Sequence, residues 1–248
     1  MIKNIPNLIS VLNLCCGTIA VFFAAEGEFA IASWLIITAA VLDFFDGFAA
    51  RMLNAVSDFG KQIDSLSDLI SFGLAPAVIL FGLLKSAFII EELNIDETSY
   101  FDLIILFSPF LIVVFSAIRL AIFNIAENQK KEFRGVPTPA NALLIASLPL
   151  ILTYQPTLES MFVIINYYTL LSIIIIQSAL MVIPFKVLSL KFNGWGLKQN
   201  ILRYILIAHG IGFIIGFGFK GIPLLYFIYL ILSLLLYIPF FGKKYEKK

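Results

Sequence analysis

The sequence predicts an all-α polytopic membrane protein with about eight transmembrane helices. Hydrophobic residues make up 60% of the 248 positions and charged residues only 13%, whereas soluble domains are about 25% charged. The apolar residues occur in runs of roughly 20, the length that an α-helix needs to cross a bilayer. Within these runs they are continuous rather than alternating, which favours helices over the strands of a β-barrel.

Eight apolar segments follow one another along the chain, separated by polar stretches. Residues 26–28 separate the first segment from the second, and an acidic stretch at 91–97 precedes the fourth. Polar residues at 127–135 precede the fifth segment, and residues 191–200 precede the last two. The eight segments are 7–25, 29–50, 61–84, 100–126, 138–155, 161–184, 201–219 and 222–241.

The basic residues predict how the chain is oriented, because Lys and Arg are enriched in cytoplasmic loops. With eight crossings and a cytoplasmic N-terminus, only Lys85 and Lys220 fall on the opposite side. Both termini, including the lysine-rich tail at 243–248, are therefore expected in the cytoplasm. The lipid bilayer is the expected partner. The net charge of +1 gives no indication of nucleic acid, so none is expected.

Four carboxylates lie where the second and third segments meet the predicted cytoplasmic interface: Asp43, Asp46, Asp64 and Asp68. At 100° per residue the first pair shares one helix face and the second pair another, and the short connection lets these faces converge. Charged groups in a membrane are costly, so this concentration of negative charge indicates a bound cation. Oxygen ligands without His or Cys suit Mg²⁺ or Mn²⁺ rather than zinc, and such ions commonly bridge substrate phosphates.

Two other interpretations of the four acids remain open. They are solvated residues at helix ends, or they line the path of a cation transporter or channel. A transporter predicts acids nearer the bilayer centre, and it leaves unexplained a set of small and basic neighbours: Gly47, Ala50, Arg51 and Gly60. The small residues leave room for a ligand beside the acids, and Arg51 is placed to pair with a phosphate.

The spacing from Asp43 to Asp68, D-x2-D-G-x2-A-R-x8-G-x3-D-x3-D, resembles the signature of the CDP-alcohol phosphatidyltransferases at every fixed position. The resemblance implies a dimeric enzyme with two divalent cations, which hold the pyrophosphate of a CDP-linked lipid while an alcohol attacks the lipid-side phosphorus and CMP leaves. It makes Asp43, Asp46 and Asp64 mainly metal ligands, and it makes Asp68, the fourth carboxylate at the metals, the candidate general base. It implies nucleotide and phosphate contacts for Gly47, Ala50, Arg51 and Gly60.

The same resemblance predicts how the chain is divided. A six-helix catalytic core would occupy residues 1–184, and residues 185–248 would hold a cytoplasmic loop, two additional transmembrane helices and the basic tail. The active site would face the cytoplasm. We expect the inner membrane of a prokaryotic-type cell.

The surroundings of the signature resemble the phosphatidylserine synthase branch of that family. The similarity lies in residues 57–60, 119–124 and 133–140, with Ile122 as a departure where that branch often has a second arginine. It implies CDP-diacylglycerol and L-serine as substrates, with glycerol 3-phosphate as the alternative acceptor.

A serine carboxylate favours a bidentate guanidinium partner. Arg119 lies inside a predicted membrane helix, where an ionisable residue indicates function, although snorkelling to the interface is the alternative. Asn124 and Arg134 are expected on the same side of the membrane and complete the hypothetical serine pocket.

Overall fold

The computed structural model describes residues 5–53, 55, 57–88, 99–125, 135–184, 187, 206, 208–210 and 212–237. All regular secondary structure in these ranges is helical, as the sequence predicts. A π-helical turn at Leu69–Leu74 joins α3 to α4, and a 3₁₀ turn at Gly218–Lys220 precedes α10. The α-helices are α1 (Ile5–Ala25), α2 (Phe29–Met52), α3 (Asp58–Asp68), α4 (Ala75–Ala87), α5 (Tyr100–Phe107), α6 (Phe110–Ile125), α7 (Thr138–Tyr154), α8 (Leu158–Ile164), α9 (Tyr167–Val182) and α10 (Gly221–Tyr237).

Several of these helices are long and apolar enough to make the chain an integral membrane protein. Four stretches are candidate spans by themselves, and two more are added if each bent pair of helices counts as one span. These pairs are α5 with α6, bent by 41°, and α8 with α9, bent by 57°. The described ranges thus contain four to six candidate spans by length and composition, fewer than the eight predicted, and α7 is shorter at 17 residues. The four candidates other than the bent pairs are Ile5–Ala25, Phe29–Met52, Asp58–Ala87 and Ala208–Leu234.

Each bend between paired helices has a local cause that the apolar pattern does not show. Pro109 lies at the first bend, and proline has no amide hydrogen with which to continue a helix. At the second bend the Asn166 side chain accepts hydrogen bonds from the backbone amides of Tyr168 (2.9 Å) and Thr169 (3.3 Å). This N-cap starts α9 as a new helix.

The buried core lies among α1, α2, α4 and α7. Its fully buried side chains include Ala20, Ala32, Ile36, Leu80 and Ile145. Small side chains let membrane helices approach closely, which explains the alanines where α1 meets α2.

Helix α1 is held tightly against α3 and the π-helical turn. The Ser67 hydroxyl donates to the Ser10 carbonyl (2.8 Å), and the Ser71 hydroxyl donates to the Asn13 carbonyl (3.0 Å). Gly17 leaves room for this contact, because a β-carbon there would lie 2.2 Å from Ser71 Oγ. These contacts fix α1 beside the acidic face of α3.

The C-terminal stretch reverses direction at Gly218, where φ is +58°. A β-carbon at Gly221 would lie 2.4 Å from the Phe213 carbonyl oxygen, and one at Gly210 would lie 3.0 Å from Leu225 Cδ2. In one continuous helix at 1.5 Å per residue, these pairs would be about 12 Å and about 22 Å apart. Length and hydropathy alone make this stretch a single span, but the contacts show a tight helical hairpin.

The turn of this hairpin is seated against the end of α7. The Gln155 side-chain amide donates to the Phe217 carbonyl (3.1 Å), and its oxygen accepts from the amides of Phe219 (2.7 Å) and Lys220 (3.3 Å). The C-terminal hairpin is thereby anchored to the main bundle.

Candidate active site

Three carboxylates from two helices converge at one point. Asp43 on α2 and Asp64 and Asp68 on α3 each offer a carboxylate oxygen, and these oxygens all lie within 4.8 Å of one another. Asp68 is buried, with 8% of its surface exposed, and the other two are half-buried. The short connection between α2 and α3 brings the two faces together.

The donor set of this trio fits a divalent cation. Like charges held this close repel one another, and ionised carboxylates in a membrane helix are costly unless positive charge compensates them. Anionic oxygens are the ligands preferred by hard cations such as Mg²⁺ and Mn²⁺. The residues present therefore suit the metal that the sequence predicts.

Asp46 lies beside the trio rather than within it. It is 4% exposed, and the Ser10 hydroxyl donates a 2.7 Å hydrogen bond to its Oδ2. It is close enough to Asp43 and Asp68 to interact with both electrostatically. The fourth predicted ligand thus borders the cluster and is held by α1.

An open cavity adjoins the carboxylates, between α1, the end of α2 and the start of α3. Asp46 and Asp64 form part of its wall. Three of the four residues predicted to contact nucleotide and phosphate also line it: Gly47, Ala50 and Gly60.

The two glycines of this cavity differ in what surrounds them. A β-carbon at Gly47 would meet nothing within 4 Å, so this position opens onto free space. A β-carbon at Gly60 would lie 2.8 Å from Asn7 Oδ1 and 3.0 Å from Ser57 Oγ. Gly47 therefore leaves room for a ligand, whereas Gly60 leaves room for the packing of α1 against α3.

The N-terminus of α3 opens on the same cavity. Ser57 caps it by accepting a hydrogen bond from the Gly60 amide (3.0 Å), and both residues line the cavity. Amides at a helix N-terminus carry partial positive charge and favour phosphate groups. The cavity thus combines a helix N-terminus that is suited to an anion with two carboxylates, Asp46 on α2 and Asp64 one turn further along α3.

Arg51 does not line this cavity among the residues described. Its side chain is exposed and donates from Nε to the Gly47 carbonyl (2.8 Å) on its own helix. The structure therefore keeps Arg51 next to the cavity without directing it inward.

Two of the three residues in the predicted serine pocket fall within the described chain. Arg119 is 8% exposed, so it lies inside the helix bundle, and it is within electrostatic range of Asp68 and Asp43. Asn124 is exposed, and its amide donates to Ser65 Oγ (2.9 Å), which ties α6 to α3. Arg134 lies outside the described residues.

Four polar residues around the carboxylates were not predicted from the sequence. Asn7, Ser10 and Asn13 lie on α1, and Lys61 lies on α3. Asn7, Ser10 and Lys61 line the cavity, and Asn13 Nδ2 is 3.5 Å from Asp68 Oδ1. The spacing of three residues along an apolar helix was the available signal, since such residues share one face.

Residues 3–238 match the CDP-alcohol phosphatidyltransferase family. A CDP-diacylglycerol–serine O-phosphatidyltransferase of Helicobacter pylori is 33% identical over 206 residues, covering 82% of this chain and 79% of the relative. The protein of the same name from Bacillus subtilis is 32% identical, over 62% of this chain and 78% of its own. An archaetidylserine synthase of Methanothermobacter thermautotrophicus is 34% identical, over 58% and 56% of the two chains.

Proposed function

The chain belongs to the CDP-alcohol phosphatidyltransferase family, and from that premise we propose that it transfers the phosphatidyl group of CDP-diacylglycerol to the hydroxyl of L-serine, releasing CMP. Enzymes of this family transfer such a group to an alcohol with the help of divalent metal, so the chain is a membrane-integral transferase of phospholipid biosynthesis. The names of its relatives support serine as the acceptor. The observation that carries the proposal is the convergence of Asp43, Asp64 and Asp68.

Two divalent cations, Mg²⁺ or Mn²⁺, are the cofactors of this proposal. Asp43, Asp64 and Asp68 would hold them with their clustered oxygens, and Asp46 would join from the cavity side. When bound, such ions supply positive charge to phosphate oxygens on both sides of a displacement at phosphorus.

The nucleotide and pyrophosphate would occupy the open cavity. Gly47 and Ala50 leave space along α2, Gly60 belongs to the capped N-terminus of α3, and Arg51 is available from the rim. Lys61 adds a cation to the cavity lining. This distribution favours a ligand with two phosphates, because positive groups flank the space that the carboxylates border.

Asp68 would accept the proton of the acceptor hydroxyl. As that oxygen bonds to the lipid-side phosphorus, the bond from this phosphorus to the bridging pyrophosphate oxygen breaks, and CMP leaves with the electron pair. Asp68 is buried beside the trio, and Arg119 interacts with it electrostatically. Arg119, with Asn124 and Arg134, would hold the serine carboxylate in position for attack.

The proposal includes an orientation and an assembly. Eight crossings would place both termini and the active site in the cytoplasm, in the inner membrane of a prokaryotic-type cell. A six-helix core at 1–184 would be followed by a loop, two more helices and the basic tail at 185–248. By family analogy the enzyme would be a homodimer.

The test is an assay of purified protein with CDP-diacylglycerol, Mn²⁺ or Mg²⁺, and a panel of acceptors. We expect CMP release that depends on L-serine and equals the phosphatidylserine formed. Release with glycerol 3-phosphate but not with serine would assign the alternative acceptor. No acceptor-dependent release, together with cation flux into proteoliposomes, would favour the transporter interpretation.

A further inference from the structure

Tyr229 lies on α10, in the C-terminal part of the chain, which holds none of the residues predicted for the active site. It is 5% exposed, and its hydroxyl has no hydrogen-bond partner among the residues described. Buried side-chain polar atoms are nearly always paired, so an unpaired one requires an explanation. The hydroxyl of Tyr229 is therefore available for a partner that is not part of this chain's described residues.

The guanidinium of Arg119 lies within electrostatic range of this hydroxyl. Arg119 is also buried, and its Nε likewise has no hydrogen-bond partner within the described ranges. Arg119 in turn interacts with Asp68 of the carboxylate trio. Buried polar groups of the C-terminal hairpin and of α6 therefore lie within electrostatic range of one another and of the carboxylate trio.

Three other unpaired polar atoms are buried on α7 and α9, the helices that pack against α10 and α6. Thr138 Oγ1 and Asn141 Oδ1 on α7 and Ser178 Oγ on α9 have no partner among the residues described. Helix α9 packs on α6, and α10 packs on α7. Unpaired polar atoms are thus buried on four helices, α6, α7, α9 and α10, and a small polar ligand within reach of them would supply the missing partners.

We propose that Tyr229 belongs to the acceptor pocket, where its phenol donates a hydrogen bond to the acceptor carboxylate that Arg119 binds. The inference rests on the proposed function, because it takes serine as the acceptor. It gives the C-terminal hairpin a role in specificity: α10 adds a second donor for the carboxylate, and an alcohol without a carboxylate gains nothing from it.

Tyr226 provides a matched control on the same helix. It is equally buried and lies one turn before Tyr229, but its hydroxyl already donates to Gln177 Oε1. Its ring packs in a small apolar cluster with Val136 and Leu144. Removing its hydroxyl disturbs the same helix without removing an unpaired donor.

The experiment compares Tyr229→Phe and Tyr226→Phe in steady-state assays of the full-length purified enzyme. For Tyr229→Phe we expect the KM for L-serine to rise about tenfold, as for loss of one hydrogen bond to a charged group. The KM for CDP-diacylglycerol and kcat should stay within a few-fold of wild type. The rate with ethanolamine, which lacks the carboxylate, should be the same in both proteins. Tyr226→Phe should keep the wild-type KM for serine.

A double variant adds a test that a merely structural role would not pass. If both donors bind one carboxylate, the effects of Arg119→Lys and Tyr229→Phe on the serine KM should be non-additive. An unchanged serine KM in Tyr229→Phe would overturn the inference, as would an equal rise for CDP-diacylglycerol or an equal effect in Tyr226→Phe. If the wild type uses serine and Tyr229→Phe does not change the serine KM, the proposed function stands and only the inference about Tyr229 fails. If the wild type is inactive with serine, both the proposed function and the inference are contradicted.

Discussion

The backbone of Gly17 on α1 contacts Ser71 so closely that a β-carbon at Gly17 would lie 2.2 Å from the Ser71 hydroxyl oxygen and 2.8 Å from its Cα. Rotation of the serine side chain cannot relieve the second of these distances, because it involves the backbone. The contact sets the separation of α1 from the segment that follows Asp68. It therefore controls how α1 presents Ser10 and Asn13 to the carboxylates.

Gly17→Ala should force α1 away from the π-helical turn. Overpacking of this kind typically costs about 1–3 kcal/mol, so we expect a lower apparent Tm in detergent and reduced CMP release. Gly216→Ala is the control, because a β-carbon at Gly216 would meet nothing within 4 Å. Equal Tm values for the two variants would show that the α1 contact is not tight.

Ser10→Ala should reduce activity by removing the 2.7 Å hydrogen bond to Asp46. Hydrogen bonds to charged groups contribute about 1.5–3 kcal/mol, so a loss of roughly tenfold or more in kcat/KM for CDP-diacylglycerol is expected. Ser33→Ala is the matched control: Ser33 is also buried, and its hydroxyl bonds only the Phe29 carbonyl of its own helix (2.8 Å). If both variants keep wild-type kinetics, Asp46 does not depend on α1.

Gly47→Ala should separate stability from substrate binding. The added methyl meets no protein atom within 4 Å, and alanine is favoured over glycine inside a helix by about 1 kcal/mol. The apparent Tm should therefore stay the same or rise. The KM for CDP-diacylglycerol should increase several-fold, because the methyl enters the space assigned to the nucleotide. An unchanged KM would place the nucleotide elsewhere.

Asp68→Asn should separate binding from chemistry. If Asp68 mainly accepts the acceptor's proton, turnover should fall by about 10²–10⁴, while affinity for CDP-diacylglycerol stays within a few-fold. The measurement pairs single-turnover CMP release with equilibrium binding of the nucleotide lipid. Affinity that falls in step with turnover would make Asp68 a metal ligand first and remove it as the base.

The acidic site was predictable from the sequence because its spacing is local. Asp43 and Asp46 share a helix face, Asp64 and Asp68 share another, and the intervening connection is too short to keep them apart. The roles of Ser10 and Asn13 were harder to predict. Their partners lie on other helices. A spacing of three residues shows that these side chains share one face of α1, but it does not identify the helix against which that face packs.

The bends within the apolar segments were less predictable than the apolar character of those segments. Pro109 and Asn166 lie at bends in apolar stretches that look continuous in sequence. The missing amide hydrogen of Pro109 and the N-cap formed by Asn166 change the direction of the helix without changing the hydropathy of the stretch. The C-terminal reversal at Gly218 lies two residues before the gap between the predicted segments 201–219 and 222–241. Its attachment to Gln155 is a tertiary contact that no local pattern indicates.

The dependence of CMP release on divalent metal tests the central claim, which is that Asp43, Asp64 and Asp68 form the metal site of a phosphatidyl transfer to serine. Purified wild type and Asp64→Asn would be assayed with CDP-diacylglycerol and L-serine while EDTA is added and then overcome with Mg²⁺ or Mn²⁺. We predict that wild-type release falls to background and recovers fully, and that Asp64→Asn stays near background while retaining a folded, monodisperse state. Full wild-type activity in excess EDTA, or a wild-type rate in Asp64→Asn, would contradict the account.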